Sequence, residues 1–167
     1  SAPDHLHFQA CPTGSIPIEG DALDPAKRQL RKTNGTTSIY TLTGIGRATI
    51  VLEGEDASGM ESSFEQLTTA MQHALRTDEE PMMNIVCSHN EGKWRMIVFP
   101  RSKHRPDAYF KEGDGRVVIS PAVIDVGGLI VTPMDTDFYR VGAETIQSIY
   151  DEVLIDGVSM ERIFAVL

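Results

Sequence analysis

The sequence has 167 residues, of which 41% are hydrophobic and 23% are charged, and these values are typical of a globular protein with a substantial core. The net charge of -9 excludes a surface that coats nucleic acid, because such a surface needs clustered lysine and arginine. Two cysteines are too few for a disulfide framework, and no stretch resembles a signal peptide or a membrane span. We therefore expect one domain, spanning residues 1–167, in a reducing cytoplasm, with no membrane partner and no nucleic-acid partner.

The first third of the chain predicts alternating strands, loops and one helix. Residues 5–10 alternate polar and apolar side chains, as a strand does, and the Pro and Gly of residues 12–17 indicate a loop. Residues 24–32 begin with Asp-Pro, which is typical of an N-cap and first helical position, and predict a short basic helix. Residues 36–43 and 47–52 are rich in β-branched and aromatic residues and predict two strands.

The rest of the chain predicts a long helix, a hairpin and two terminal helices. Apolar residues at helical spacing predict an amphipathic helix over residues 58–76. Two strand-like runs flank a turn at residues 89–92 and predict a hairpin over residues 82–99. After a charged loop over residues 100–115, we expect short buried strands at 117–119 and 129–131, a turn at Gly127-Gly128, and helices over about 146–154 and 160–167, the second capped by Ser159.

His5-Leu6-His7-Phe8-Gln9 is the segment most informative about function. In an extended strand, His5, His7 and Gln9 project from one face, while Leu6 and Phe8 pack on the other. Two imidazoles and an amide then share a small volume, which suits either a phosphate or a metal.

A histidine at this place suits nucleotidyl transfer. Imidazole nitrogen attacks phosphorus readily and leaves readily, since its pKa lies near working pH. A histidine that attacks the α-phosphorus of a nucleotide forms a nucleotidyl-histidine, and a second phosphate acceptor then removes the nucleotidyl group. Gln9 supplies a neutral amide to the phosphate oxygens, which favours transfer to a phosphate-bearing acceptor over hydrolysis.

A metal site is the main alternative for the same segment. If the strand continues, His5, His7 and Cys11 share a face and are suitable zinc ligands. A cupin-type site needs Glu four or five residues after the second histidine, where this chain has Cys11 and Pro12. A pair of structural histidines bonded to the backbone is the third interpretation.

The segment His5-Leu6-His7-Phe8-Gln9 resembles the His-x-His-x-Gln signature of the histidine-triad superfamily, in the branch of galactose-1-phosphate uridylyltransferase, diadenosine tetraphosphate phosphorylase and the GDP-hexose phosphorylases. With Ala10 added, the string is most similar to the GDP-hexose phosphorylases. Residues 99–106 and 120–122 resemble segments of the same group. The resemblance implies that His7 is the nucleophile, and that His5 and Gln9 orient it and bind phosphate oxygens.

The resemblance also implies what surrounds the site. The family places a region that holds much of the base and ribose pocket before this strand, and the sequence begins almost at the strand. We therefore expect the chain to be the C-terminal portion of a nucleotidyltransferase or phosphorylase. The expected substrates are a nucleotide sugar or dinucleotide and a phosphate-type acceptor. A homodimer or an N-terminal half is expected to complete the site, with no cofactor and no metal.

A cationic run follows the predicted hairpin of this acidic chain. This run of cations predicts a phosphate-binding site, in which arginine forms two parallel hydrogen bonds and lysine supplies a compact charge. The alternative interpretation is a solvated, charged loop. The predicted substrate-binding residues are Arg101, Lys103, His104 and Arg105.

For the remaining histidine, tryptophan, aspartate and cysteine residues of interest we predict structural roles. We expect His73 and His89 at the surface, Trp94 in the core, Asp135 and Asp137 in a solvated loop, and Cys11 and Cys87 as small hydrophobic residues. The sequence as a whole predicts an α+β fold of histidine-triad type, with an antiparallel sheet and helices on one face. The alternative function is a non-catalytic nucleotide- or metal-binding domain that keeps the histidines.

Overall fold

An antiparallel sheet forms the centre of the computed structural model, which describes residues 8–167. Its five strands lie in the order β1-β2-β3-β5-β4, and every neighbouring pair is antiparallel. The expected α+β class with an antiparallel sheet is confirmed. The strands are β1 (Arg28–Asn34), β2 (Thr37–Leu42), β3 (Ile50–Gly54), β4 (Met83–Asn90) and β5 (Lys93–Pro100).

Helices connect and follow the strands. Short 3₁₀ turns at Asp107–Phe110 and Gly113–Gly115 interrupt the loop after β5. Within residues 8–167, no helix has the length and apolar character that crossing a membrane requires. The helices are α1 (Pro17–Leu23), α2 (Ala57–Leu75), α3 (Val123–Val126), α4 (Asp135–Arg140), α5 (Ala143–Val153) and α6 (Gly157–Val166).

Both faces of the sheet are covered, so the expectation of helices on one face is wrong. Ile50 and Leu52 of β3 pack into a buried cluster with residues of α2 and α6. Val51, between them, points the other way and packs with residues of α1, α3 and α5. Since alternate residues of a strand face opposite sides, the continuous apolar run of β3 demands cover on both.

The long helix, the hairpin and the terminal helices are confirmed within a few residues. The hairpin turn is the two-residue Glu91-Gly92, and Glu91 has a positive φ of 52°. The cap of α6 is Asp156, whose side chain accepts a hydrogen bond from the Ser159 backbone N–H at 2.7 Å. The predicted cap at Ser159 is therefore wrong by three positions.

The predicted helix over residues 24–32 is wrong, because residues 28–34 form β1 and pair with β2 along its length. Asp24 instead closes a single turn: its carbonyl oxygen accepts the Lys27 N–H at 3.1 Å, and its carboxylate accepts the Ala26 N–H at 3.0 Å. An Asp-Pro pair favours a turn and a helix start equally well. In this chain the pairing of β1 with β2 favours the turn, because it requires residues 28–34 to be extended.

The predicted loop over residues 12–17 is followed by a helix, α1 (Pro17–Leu23), that the sequence analysis did not predict. Pro17 occupies the first helical position of α1, where its missing N–H costs nothing. The Glu19 carboxylate accepts the Ile16 N–H at 3.1 Å and so caps the helix. The Pro at the first position and the Glu at the third were the signals for this helix.

The two short strands predicted at 117–119 and 129–131 are absent from the described sheet. Ile119 is buried, as expected, but Leu129 is 44% exposed. The backbone around Leu129 is satisfied locally by α3, since its N–H bonds to the Ile124 carbonyl at 3.1 Å. The turn at Gly127-Gly128 is confirmed and follows α3.

The first half of the strand predicted at residues 5–10 lies outside the described residues, which begin after His7. Phe8 and Gln9 have no regular secondary structure. The Phe8 side chain is 89% exposed, so its expected packing behind the histidines is wrong.

Asp137 is buried, which contradicts the prediction of a solvated loop. It lies in α4, where its carboxylate accepts hydrogen bonds from the Val118 N–H at 2.7 Å and from Arg140 Nε at 2.9 Å. Burial raises the pKa of Asp137, but these bonds and the charge of Arg140 lower it more, so the pKa lies below its ordinary value. The carboxylate therefore ties α4 to the segment before α3.

We expect Asp137→Asn to lower the free energy of unfolding by about 1–3 kcal/mol at neutral pH, because a buried charged acceptor is lost. A carboxylate whose folded pKa is depressed contributes stability above its unfolded pKa, and that contribution disappears as pH falls through the folded pKa. Urea denaturation should therefore show the deficit at about pH 7 and a smaller one at about pH 3. Asp135→Asn, at an exposed position of the same helix, is the matched control and should change little. An equal deficit at both pH values would contradict this account.

Candidate functional site

A cavity of about 570 Å³ lies beside Gln9. Residues 9–13 form one wall, Ile85–His89 of β4 form a second, and Val123 and Ile124 of α3 belong to a third. The side chain of Gln9 is exposed to this space. Of the three predicted catalytic residues, Gln9 is the one that the structure places; His5 and His7 lie outside the described residues.

Local hydrogen bonds hold the wall that carries Gln9. Ser15 Oγ donates to the Pro12 carbonyl at 2.6 Å, and Gly14 has a φ of 83°, which glycine adopts without strain. The Glu19 carboxylate accepts the Gly14 N–H at 3.0 Å in addition to capping α1. The turn after Gln9 is thus fixed to the start of α1.

Both cysteines line the cavity and both are exposed. This exposure contradicts the expectation that Cys11 and Cys87 act as small hydrophobic residues. Partial burial raises the pKa of the Cys87 thiol, so this thiol is protonated near neutral pH. A protonated thiol is a poor nucleophile and a poor metal ligand.

An aromatic pair includes one residue of the cavity wall. His89 lies on the cavity wall, and its ring stacks on Trp94 of β5 with 4.3 Å between ring centroids. Trp94 is 39% exposed, so the prediction that it belongs to the core is wrong, while the surface position of His89 is confirmed, as is that of His73. Direct pairing of residues 89 and 94 across the hairpin brings the rings together.

Arg101 is buried and bonds to several parts of the fold. Its guanidinium donates to Asn84 Oδ1 and to the Pro121 carbonyl, each at 2.6 Å, and to the His104 carbonyl at 2.7 Å. Only 6% of the residue is exposed, and burial lowers the pKa of its guanidinium. Arg101 therefore clamps the loop after β5 to β4 and to the start of α3.

The other three residues of the cationic run differ in what they contact. Lys103 forms ion pairs with Asp107, at 2.7 Å, and with Glu152. Arg105 donates from Nε to Ser120 Oγ at 2.9 Å and lies 4.5 Å from the centroid of the Tyr109 ring. The two terminal nitrogens of Arg105 make no hydrogen bond with any residue of the described part of the chain. Arg105 is therefore the member of the run best able to bind an anion.

His104 is exposed in the same loop. Partial burial and the charges of Arg105 and Arg101 lower the pKa of its imidazole. The ring is therefore neutral at neutral pH and can donate one hydrogen bond and accept another.

The structure does not bring the loop to the cavity wall. No residue of the cationic run lines the space beside Gln9 within the described ranges. Ser120 and Tyr109, which hold Arg105, were missed by sequence reasoning because nothing near them in the sequence indicates that contact.

The described residues contain no cluster able to hold a metal. Between residues 8 and 167, no three His, Cys, Asp or Glu side chains come close enough to ligate one ion. The zinc alternative used His5, His7 and Cys11, two of which lie outside that range. The electrostatics of the described cavity wall are nearly neutral, since Glu19 is its one formally charged residue.

Comparison with known proteins gives one result. A family model described as GDPGP1-like, C-terminal domain matches residues 23–165. The matched range begins after Gln9, so it covers the sheet, the helices that follow α1 and the cationic loop, and it does not include the histidine segment. No curated protein and no solved structure matches the chain significantly.

We expect Arg101→Lys to lower the free energy of unfolding by about 2–4 kcal/mol, because a compact ammonium cannot satisfy the separate acceptors that a planar fork reaches. Chemical denaturation followed by circular dichroism measures the change. Arg116→Lys, at an exposed position further along the same loop, is the matched control and should cost less than about 0.5 kcal/mol. Equal stability of the two variants would contradict a clamping role.

Proposed function

The chain belongs to the GDPGP1-like C-terminal domain family, a domain family of the GDP-hexose phosphorylases, and from that premise we propose that it takes part in nucleotidyl transfer from a nucleoside diphosphate sugar. GDP-hexose is the substrate class that the family favours. The acceptor is inorganic phosphate or another phosphate-bearing molecule. This proposal is consistent with the chemistry of the histidine segment, which the family match does not include.

In the proposed first step, an unprotonated imidazole nitrogen of His7 attacks the α-phosphorus of the nucleotide sugar. The bond between that phosphorus and the bridging oxygen breaks, and the sugar phosphate leaves with the electron pair. In the second step, an acceptor phosphate oxygen attacks the nucleotidyl-histidine and the phosphorus–nitrogen bond breaks, which regenerates His7. With inorganic phosphate as acceptor the products are a nucleoside diphosphate and a sugar phosphate.

The proposed roles of His5 and Gln9 follow from what each can donate. Gln9 offers an uncharged amide to the oxygens of the α-phosphate, where negative charge develops. It has no proton to give to a leaving alcohol. Since both a sugar phosphate and a nucleoside diphosphate leave without protonation, phosphorolysis suits this residue better than hydrolysis. His5 orients the attacking ring.

The observation that carries the proposal is the position of Gln9 on a cavity of about 570 Å³. Small-molecule sites are concave and commonly enclose about 300–1,000 Å³. The cavity therefore has room for a sugar phosphate beside the amide. Gln9 is two residues from His7 in the sequence, which supports the proposal that both act on the same α-phosphate.

The cationic loop divides into two proposed roles. Arg105 and His104 contact the phosphate groups of substrate or acceptor, because among residues 8–167 the terminal nitrogens of Arg105 and the ring nitrogens of His104 have no hydrogen-bond partner. Arg101 and Lys103 hold the loop in shape through their buried hydrogen bonds and ion pairs. Direct substrate binding by Arg101 or Lys103 stays an untested prediction.

We expect a covalent adduct on His7 when the protein is incubated with GDP-hexose and then quenched. A phosphorus–nitrogen bond to histidine survives base and is cleaved by acid, so mass spectrometry of peptides at high pH should locate the nucleotidyl group. His7→Asn should abolish the adduct. His73→Asn, which alters an exposed histidine of α2, is the matched control and should leave it unchanged.

Two results would contradict the proposal. One is an adduct of equal yield on the His7→Asn variant. The other is a protein that binds zinc stoichiometrically, forms no adduct with any nucleoside diphosphate sugar or dinucleotide, and loses the zinc on His5→Ala substitution. That second result would establish the metal-binding alternative.

We expect Arg105→Gln to raise the KM for the phosphate-bearing substrate about tenfold or more, because a charge-assisted hydrogen bond to phosphate is lost. Steady-state phosphorolysis kinetics measure the change, and kcat should fall less than kcat/KM. Lys93→Gln removes a cation from the hairpin tip, away from this loop, and should leave KM unaltered. Identical kinetics for Arg105→Gln and the native protein would show that Arg105 is structural.

A further inference from the structure

A second cavity, of about 570 Å³, lies apart from the one beside Gln9. Its wall comes from residues 154–157 at the α5–α6 junction, from the end of β2 and from the loop that follows β2. Among the described residues the two cavities share no wall residue. The volume is in the range of small-molecule sites, so this cavity is a separate place for a ligand.

Two residues of this wall hold polar atoms that the fold leaves without a partner. Thr41 is 7% exposed, and its Oγ1 has no hydrogen-bond partner among residues 8–167. The Nε of Arg47 also has none there, although the terminal nitrogens of Arg47 donate to the Val126 carbonyl at 3.0 Å and to Asp21 at 3.2 Å. A buried polar atom without a partner destabilises a fold and is rare in native proteins. Two of the four such side-chain atoms in the described part of the chain belong to this wall.

The charges of the wall disfavour an anionic ligand. Arg31 and Arg47 line the cavity, but each is already paired with a carboxylate. Asp151 and Asp156 line it too, and neither forms an ion pair with any residue from 8 to 167. Because the cations are neutralised and two carboxylates are not, a phosphate or carboxylate ligand is repelled.

The wall offers hydrogen-bond acceptors and donors together. The Asp151 carboxylate accepts one bond, from Gln147 Nε2 at 2.8 Å, and has further lone pairs. The exposed Gln29 amide has no hydrogen-bond partner within the described residues and can both donate and accept. Gly157 is the first residue of α6, so its N–H has no acceptor within the helix. An ammonium group only donates and cannot satisfy such donors, whereas a hydroxyl group donates and accepts.

We propose that this cavity binds a neutral polyhydroxylated molecule of monosaccharide size. Hydroxyl groups of the ligand donate to the carboxylates of Asp151 and Asp156. Other hydroxyl oxygens accept from the Gln29 amide and from the Gly157 N–H. The Thr41 hydroxyl is covered by its neighbours, and rotation about χ1 is the movement that turns it to the ligand. The proposal does not depend on nucleotidyl transfer.

Heteronuclear NMR of the isotope-labelled full chain, titrated with D-glucose and with D-mannose up to about 50 mM, tests the proposal. We expect the amide resonances of Thr41, Thr43 and Gly157 to shift with either sugar. Thr41→Val removes the hydroxyl at nearly constant shape and should raise Kd about threefold or more. Its melting temperature should not fall, because the lost hydroxyl makes no hydrogen bond in the described structure. Thr37→Val, which removes the other unpartnered threonine hydroxyl of β2 away from this cavity, is the matched control and should leave Kd unchanged.

Circular dichroism must show both variants folded. If Thr41→Val unfolds, Gln29→Ala replaces it, with Gln66→Ala at an exposed position of α2 as its control. Absence of shifts at the cavity amides with both sugars overturns the proposal, as do shifts confined to residues 85–89, which line the Gln9 cavity. An equal sugar Kd for the native chain and the cavity variant overturns it too. Putrescine or inorganic phosphate that shifts the same amides at lower concentrations than either sugar would assign the cavity to a charged ligand instead.

Discussion

The β4–β5 hairpin is the interaction on which the other features of this chain depend. Its register of eight residue pairs places His89 against Trp94 and sets Asn84 beside the guanidinium of Arg101. A slip of one residue would reverse the face of every side chain on β4. The cavity wall formed by β4 and the hydrogen bond from Arg101 to Asn84 would be lost together. The short Glu91-Gly92 turn, with its positive φ angles, fixes that register locally.

The residues of the cationic loop differ in role: some hold the loop in shape, and Arg105 is able to bind an anion. Arg101 donates hydrogen bonds to four internal acceptors, and Lys103 forms ion pairs with two carboxylates. These contacts are what make the loop rigid, and rigidity is what a phosphate site needs from its scaffold. Arg105 lies in the loop that these contacts hold, and Ser120 Oγ accepts a hydrogen bond from its Nε. Among residues 8–167 its two terminal nitrogens have no hydrogen-bond partner, so they can bind an anion.

Much of this fold could be predicted from the sequence, and the failures have physical causes. The long helix and the hairpin were predictable because their signals are local: helical spacing of apolar residues and a two-residue turn. β1 was not, since its residues are polar and basic and their strand form comes from pairing with β2. Trp94 and Asp137 were misplaced because burial depends on neighbours that lie far away in the sequence. For the candidate site, the sequence identified Gln9, whereas the walls formed by β4 and α3 required the fold.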